Sequence, residues 1–178
     1  MKHIFQYLAR TRDWVLIYRM KVTGLEGSTD ADGTTQEHRN AIMGYAFLID
    51  GGAISWFSKK QEIDMLFTTE SEYVATTHTA KEDTWLYQFI GEVFKLLTNP
   101  IPLHSDSQAA IALTHDGSYH ACTKHIDIWY HFILFVINNG TINLIYCPTD
   151  NMVANTLTKV LPNIKVKHFA FALGLQLT

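Results

Sequence analysis

The sequence has few cysteines, few prolines and no long apolar run, and each of these absences excludes a class of protein. It holds two cysteines, Cys122 and Cys147, so it cannot build a disulfide framework, and no CxxC pair offers half of a zinc site. An intracellular, reducing setting is therefore expected. Four prolines leave no Pro-rich linker to divide the chain. No apolar run reaches the roughly 18 residues of a membrane span, so no membrane partner is expected.

Charged side chains are scarce as well. They make up 17% of the 178 residues, where a soluble domain averages about 25%. The net charge of −3 excludes a basic nucleic-acid-binding module. The hydrophobic fraction of 47% excludes a disordered chain and is enough for the core of one domain.

The hydrophobic periodicity predicts an α/β fold. Residues 3–18 predict a short helix and a strand. Five further strands are expected, at 25–30, 44–50, 53–67, 101–106 and 141–148. Five further helices are expected, at 68–97, 107–113, 124–138, 151–161 and 165–177. With a two-residue hairpin at Gly51-Gly52, this order gives a mixed five-stranded sheet flanked by helices.

Three acidic residues lie where the predicted elements change. Asp30 ends a strand, Glu72 lies one turn into the long helix, and Asp106 ends the fourth strand of the sheet. Ligands of open α/β sheets bind beyond the carboxyl ends of strands, so these carboxylates are expected to converge. Close carboxylates repel one another unless a cation is present, and oxygen clusters suit Mg²⁺ or Mn²⁺. The alternative is that they cap helices, as Glu72 would in a capping box with Thr68 or Thr69, or face solvent.

Five ordered blocks of sequence carry a family resemblance: GAISWFSKKQ (52–61), TTESEYVATTHTAKEDTWL (68–86), SDSQAAIAL (105–113), HACTKHIDIWYHFI (120–133) and VANTLTKVLP (153–162). They resemble the RNase H domain of copia-type LTR retrotransposon Pol polyproteins. The opening residues 1–18 resemble the end of the preceding reverse transcriptase and its connection. The resemblance implies a ribonuclease H fold and cleavage of the RNA strand of RNA–DNA hybrids by a Mg²⁺ or Mn²⁺ two-metal site.

The resemblance also implies which residues form the site. Its acidic motifs match Asp30, Glu72 and Asp106 as catalytic metal ligands, and the fourth catalytic position is Asn155. The family has an aspartate there, in an Ala-Asp-x-Leu-Thr-Lys helix. An amide keeps a carbonyl acceptor but no charge, so we expect one of the two metal sites to be weakened. Asp150 lies before this helix and is not expected to replace the missing carboxylate.

Other departures from the family pattern remove charge. Phe57 stands where a basic residue is usual, and Cys122 and Trp129 stand where arginines are usual. Together with Asn155, these positions explain part of the low charge content and indicate drift. Phe57 and Trp129 are expected to add exposed apolar surface.

Three further groups of residues each have two interpretations. Lys59 and Lys60 either contact a nucleic-acid backbone or are solvated at a strand bend. The aromatic residues of the long helix are expected to pack in the core, with a partner surface as the alternative: Trp85, Phe89 and Phe94. Four residues could be read as a zinc site, namely His120, Cys122, His125 and His131. Their spacing and the lack of a second Cys pair disfavour it, and we expect His125 and His131 to be hydrogen-bonded structural residues.

We expect three segments and keep two functional hypotheses. Residues 1–22 would be a remnant of the reverse transcriptase connection, 23–162 the RNase H-like domain, and 163–178 a C-terminal helical tail. The first hypothesis is an RNase H domain that cuts the RNA strand of RNA–DNA hybrids. Its partner would be the reverse transcriptase portion of the parent polyprotein, in the cytoplasm or nucleus. The second is a catalytically dead fragment with at most weak nucleic-acid binding.

Overall fold

The computed structural model describes residues 2–19, 24–33, 41–62, 68–94, 100–115 and 127–178. Its main sheet has five strands: β2 (Leu25–Asp32), β3 (Ile42–Ile49), β4 (Gly52–Lys60), β5 (Ile101–Ser105) and β6 (Ile142–Tyr146). Their spatial order is β4-β3-β2-β5-β6. The pairs β2/β3 and β3/β4 are antiparallel, and β2/β5 and β5/β6 are parallel. The prediction of a mixed five-stranded sheet is confirmed.

The helices and two short strands complete the described part of the chain. The helices are α1 (Lys2–Thr11), α2 (Thr68–Phe94), α3 (Gln108–His115), α4 (Asp127–Asn138), α5 (Asn155–Thr158) and α6 (Asn163–Ala172). The short strands β1 (Trp14–Leu16) and β7 (Leu175–Leu177) pair antiparallel in a second sheet. Parts of the predicted strand and helices fall outside the described residues: 63–67, 95–97 and 124–126.

Alternation along β2 directs neighbouring side chains to opposite faces of the sheet. On one face, Thr79 of α2 donates a hydrogen bond to the Thr29 hydroxyl at 2.8 Å. On the other face, Thr158 of α5 donates to the Asp30 carboxylate. A Cβ at Gly44 would lie 2.8 Å from Leu157 Cβ, so glycine permits the close approach of α5 to β3. The sheet therefore lies between α2 and α5.

The largest hydrophobic core lies where α2 and α4 cover β5 and β6. Its buried members are Tyr73, Val74, Ala80, Leu103, Tyr130, Ile133, Val136, Ile142 and Leu144. A second cluster joins Leu86 and Ile90 of α2 to Phe47 of β3. Burial of such side chains contributes roughly 1.5–3 kcal/mol each, and it fixes α2 across the sheet beside the acidic residues.

The turn between β3 and β4 differs from the predicted one by one residue. Ile49 pairs with Gly52, so the two loop residues are Asp50 and Gly51, not Gly51-Gly52. Both have positive φ, 50° and 76°. A type I′ turn, whose twist matches that of the flanking strands, needs positive φ at both loop positions, which Asp-Gly provides.

Two helices near the C-terminus are shorter than predicted. The helix expected at 151–161 is α5, Asn155–Thr158, preceded by a 3-10 turn at Thr149–Asn151. Lys159 is already extended, and Pro162 disfavours a helical conformation for the residue before it. The helix expected at 165–177 is α6, which ends at Ala172. Gly174 then has a φ of 89°, and β7 follows.

The prediction that Trp85 and Phe89 pack in the core is wrong. Their exposed fractions are 55% and 47%, and their rings stack on each other with centroids 5.3 Å apart. Leu86 and Ile90, one position further along the helix, are the residues that face the sheet. The side chain of Phe94 lies outside the described residues.

Phe57 and Trp129, which were expected to add exposed apolar surface, are only partly exposed and pack against other rings. Phe57 stacks between Tyr45 and His78, with centroids 5.4 Å and 6.4 Å away. Trp129 meets the same His78 ring edge to face at 5.9 Å, and both side chains are half-buried. Residues from β4, α2 and α4 therefore form one aromatic cluster. Cys122, the third departure from the family pattern, lies outside the described residues.

Within the described part of the chain, no helix combines the length and the apolar character that a bilayer crossing requires.

Candidate acidic metal site

Three carboxylates converge at the carboxyl end of β2 and β5. Asp30 comes from β2, Glu72 from the first turns of α2, and Asp106 directly follows β5. One ligand oxygen from each lies within 4.8 Å of the others. The parallel pairing of β2 with β5 brings Asp30 and Asp106 to the same edge. The fold therefore assembles the three acids that the sequence singled out.

Asp30 is fully buried, and both its carboxylate oxygens accept hydrogen bonds. Thr158 donates to Oδ2, and the Lys159 ammonium donates to Oδ1 at 3.0 Å. Burial raises the pKa of Asp30 above its ordinary value, and the charge of Asp106 acts in the same direction. The bonds from Thr158 and Lys159 oppose this rise without cancelling it.

Glu72 reaches from α2 to the backbone of β2. Its Oε2 accepts the Ala31 N–H at 3.1 Å, so this carboxylate is engaged across the site with β2. Burial, followed by repulsion from Asp30 and Asp106, raises the pKa of Glu72 to about 8. Both causes disfavour the ionised form of Glu72 while no cation lies between the acids.

Asp106 is half-buried, and it is held by the loop that follows β6. The Thr149 hydroxyl donates to its Oδ2 at 2.8 Å. The backbone of the same loop is tied to β5, since Cys147 N–H donates to the Ser105 carbonyl at 2.9 Å. These contacts fix the third carboxylate against the end of the sheet.

Asn155 lies beside Asp30 but faces a lysine. Its Nδ2 donates to the Thr149 carbonyl at 2.9 Å, which leaves Oδ1 to accept from Lys159 Nζ at 2.7 Å. Burial acts to lower the pKa of Lys159, but attraction to Asp30 and the other carboxylates outweighs it, and the pKa is raised. Lys159 therefore stays charged and joins Asp30 to Asn155.

The donor set fits a hard divalent cation. Carboxylate oxygens are the ligands that Mg²⁺, Mn²⁺ and Ca²⁺ prefer, and three of them can reach one point here. Among the described residues, Lys159 is the ammonium that contacts this cluster, so with all three acids ionised the cluster would carry more negative charge than it compensates. Asp30, Glu72 and Asp106 could therefore hold a metal ion.

Asp150 points away from this cluster. Its Oδ1 accepts from Lys165 of α6 at 2.8 Å, and both side chains are exposed. As expected, it does not stand in for the carboxylate that Asn155 lacks.

The other sequence candidates lie outside the cluster. Lys59 and Lys60 end β4 and are exposed, and Lys59 pairs with Glu62 at 2.5 Å. Of the residues considered for zinc, His120, Cys122 and His125 fall outside the described residues. His131 is exposed, with its ring edge-on to Tyr130.

Sequence reasoning missed three residues that hold the acids in place. Thr149 supports Asp106, while Thr158 and Lys159 contact Asp30. Lys159 lies four positions after Asn155, one helical turn away, and this spacing is the signal that could have identified it. The contact of Lys159 with Asp30 depends on where α5 ends. The sequence predicts a longer helix, over 151–161, and so does not predict this contact.

Solved structures identify the fold. The chain is similar to LC11-RNase H1 in complex with an RNA/DNA hybrid, with a TM-score of 0.54 and 16% identity, covering 76% of this chain and 94% of that one. A search against models of known protein families finds no match. The fold is that of ribonuclease H domains.

Sequence comparison identifies relatives of the chain. The chain is 40% identical over 166 residues to a retrovirus-related Pol polyprotein from transposon TNT 1-94 of Nicotiana tabacum, covering 93% of the chain and 12% of that protein. It is 29% identical over 177 residues to the one from transposon RE2 of Arabidopsis thaliana, covering 98% and 12%. The chain is thus a homologue of copia-type retrotransposon Pol polyproteins, and it spans about an eighth of the length of these relatives.

Proposed function

We propose that this chain is a metal-dependent ribonuclease H domain that cleaves the RNA strand of RNA–DNA hybrids. The observation that carries the proposal is the convergence of Asp30, Glu72 and Asp106 within 4.8 Å on a ribonuclease H fold. The structural relative LC11-RNase H1 is itself in complex with an RNA/DNA hybrid, which supports this substrate class.

The proposed roles follow from the contacts. Asp30, Glu72 and Asp106 hold Mg²⁺ or Mn²⁺, and the bound ion would supply positive charge to the phosphodiester under attack. Thr158 and Thr149 orient the two aspartates, which keeps the ligand oxygens in place before the ion binds. Asn155 is at the fourth catalytic position and supplies no charge, so a second ion would be held weakly.

Substrate binding and partners belong to the same proposal. Lys59 and Lys60 are exposed at the end of β4 and would contact the nucleic-acid backbone. The reverse transcriptase portion of the parent polyprotein would share the task of binding the hybrid, in the cytoplasm or nucleus. Residues 1–22 would derive from its connection, 23–162 form the nuclease domain, and 163–178 follow as a tail.

The second candidate function is a catalytically dead fragment with weak nucleic-acid binding. The observation that favours it is Asn155, whose amide oxygen is engaged by Lys159 at 2.7 Å. In this candidate the fold persists, hybrids bind weakly, and no phosphodiester is cut.

A cleavage assay tests the proposal. The chain is incubated with a hybrid labelled on its RNA strand or on its DNA strand, with Mg²⁺, with Mn²⁺, or with a chelator. We expect slow cleavage of the RNA strand alone, and only with a divalent ion. Asp106→Asn should abolish the signal, and Asp150→Asn, which removes an exposed acid outside the cluster, should not change it.

Hybrid binding without cleavage by the native chain in either ion would favour the second candidate. Cleavage that persists in Asp106→Asn would show that the activity does not come from this cluster.

A further inference from the structure

The Lys159 ammonium lies between two side-chain oxygens of the site, a position that a metal ion could also occupy. Its Nζ lies 3.0 Å from Asp30 Oδ1 and 2.7 Å from Asn155 Oδ1. The side chain is 28% exposed while Asp30 is fully buried, so this ion pair is largely withdrawn from solvent. An ammonium on a flexible stem is a compact point charge that can occupy such a position.

Asn155 is oriented toward that ammonium. Its Nδ2 bond to the Thr149 carbonyl at 2.9 Å turns the amide oxygen to Lys159. The amide contributes an acceptor but no negative charge. Among the described residues, Asp30 is the acid whose carboxylate contacts Lys159, and this pair has no competing acidic partner at position 155.

A second divalent ion would have to displace this ammonium. An ion that bridged Asp30 and residue 155 would share the same two oxygens with Lys159, and like charges repel strongly in a site with little water. An ion held at the meeting point of Asp30, Glu72 and Asp106 can share Asp30 with Lys159, because an ionised carboxylate has about four acceptor positions.

We propose that the Lys159 ammonium takes the place of the second metal ion, so that this chain binds one divalent cation at Asp30, Glu72 and Asp106. The inference rests on the proposed function, since it assumes that these three carboxylates bind a metal. It makes Lys159 a positioning residue that holds Asp30 and limits the number of ions.

Counting bound ions tests this inference without an activity assay. Isothermal titration calorimetry with Mg²⁺, and electron paramagnetic resonance of free Mn²⁺, give the number of ions per chain and their affinity. The native chain should bind one ion. Lys159→Met keeps the length of the side chain and removes its charge, and it should bind that ion about tenfold more tightly because a repelling charge is gone. The double variant Asn155→Asp with Lys159→Met should bind two.

Lys165→Met is the matched control. It removes one lysine from the exposed pair with Asp150 and should bind one ion with unchanged affinity. The count on the native chain needs no variant, so it stands even if Lys159→Met fails to fold.

Two ions per native chain, or an unchanged affinity in a folded Lys159→Met, would overturn the inference. No ion in any variant would overturn the inference and the proposed metal site together. One ion per native chain without hybrid cleavage would support the inference and count against the proposed activity.

Discussion

The contribution of the buried residue Asp83 to folding stability should depend strongly on pH. It lies on α2 with no exposed surface, and neither carboxylate oxygen has a hydrogen-bond partner among the described residues. Burial raises its pKa to about 8. A carboxyl whose pKa is higher in the folded state binds its proton more tightly there, so its contribution to stability is complete at low pH and is lost as pH rises toward 8.

Asp83→Asn should therefore stabilise the protein more at pH 8 than at pH 5. At pH 5 the folded-state carboxyl is still protonated and only the unfolded chain has lost this proton, whereas at pH 8 the native carboxylate is also partly charged without a partner. We expect the gain at pH 8 to exceed that at pH 5 by at least about 1 kcal/mol, measured as the free energy of unfolding in urea. Glu92→Gln, an exposed acid on the same helix, should show no such difference between the two pH values. Equal effects of Asp83→Asn at both would contradict the assignment.

At this scale the sequence identified the acids but not their partners. Asp30, Glu72 and Asp106 could be predicted because each falls at a junction of elements and matches a family motif. Thr149, Thr158 and Lys159 could not, since their contacts require the exact path of the chain from β6 through α5, which no local pattern determines.

At the scale of elements, the aromatic cluster of Phe57, His78 and Trp129 changes the interpretation of two departures from the family pattern. The loss of basic residues at 57 and 129 indicated drift when each was considered alone. In the structure both rings contact His78, and the Lys81 ammonium lies 5.3 Å from the Trp129 ring centroid. Phe57 of β4 and Trp129 of α4 therefore both pack against His78 of α2.

Trp129→Arg should cost about 1–2 kcal/mol of folding stability, although arginine is the usual family residue there. The change removes the ring contact with His78 and places a second positive charge beside Lys81. Trp56→Arg is the control, since Trp56 is 63% exposed and should cost less than about 0.5 kcal/mol. Urea unfolding of both variants measures this difference, and equal costs would show that the cluster does not stabilise the fold.

The junction of α6 and β7 depends on Gly174. Its φ is 89°, and a Cβ there would lie 2.6 Å from the Gly51 carbonyl oxygen. Its carbonyl accepts the Ile17 N–H at 2.9 Å, which ties the segment after β1 to the segment before β7.

Gly174→Ala should destabilise the protein by about 1 kcal/mol or more beyond the cost of Gly140→Ala. Gly140 also has positive φ, 67°, but a Cβ there meets nothing within 4 Å. The comparison therefore isolates the steric clash from the conformational cost. Thermal unfolding of both variants provides the measurement. A cost at Gly174 no greater than at Gly140 would mean that the β3–β4 turn shifts away without penalty.

Helices and strands with a strong hydrophobic period can be predicted from the sequence, but the residues at which they end cannot. The apolar stripe of α2 and the alternation of β3 predict those elements well. The hairpin was misplaced by one residue because Asp50-Gly51-Gly52 offers two adjacent turn dipeptides. The face of α2 was assigned wrongly for Trp85 and Phe89 because large apolar residues on a long helix need not all face the sheet.

At the scale of the whole molecule, charge limits how the chain can bind a polyanion. The net charge is −3, so the proposed attraction to a hybrid would depend on local groups such as Lys59 and Lys60, together with a metal ion at the acidic cluster.

Replacing Lys59 and Lys60 by alanine should weaken hybrid binding. The slope of the logarithm of the binding constant against the logarithm of the salt concentration should become shallower by up to about two. The loss should be the same for hybrids of different sequence, because phosphate contacts carry no sequence information. Lys165→Ala with Lys167→Ala, two lysines of α6, is the matched control. Fluorescence anisotropy at several salt concentrations measures both, and identical slopes for the two double variants would exclude Lys59 and Lys60 as phosphate contacts.

We propose that the acidic cluster belongs to a ribonuclease H site that Asn155 impairs. The most direct test compares the rate of RNA-strand cleavage in a hybrid by the native chain and by Asn155→Asp, at one Mg²⁺ concentration. The substitution would restore a carboxylate beside Asp30 and Lys159, so we predict a rate at least about tenfold higher than that of the native chain. An equal or lower rate in a folded Asn155→Asp would contradict the claim.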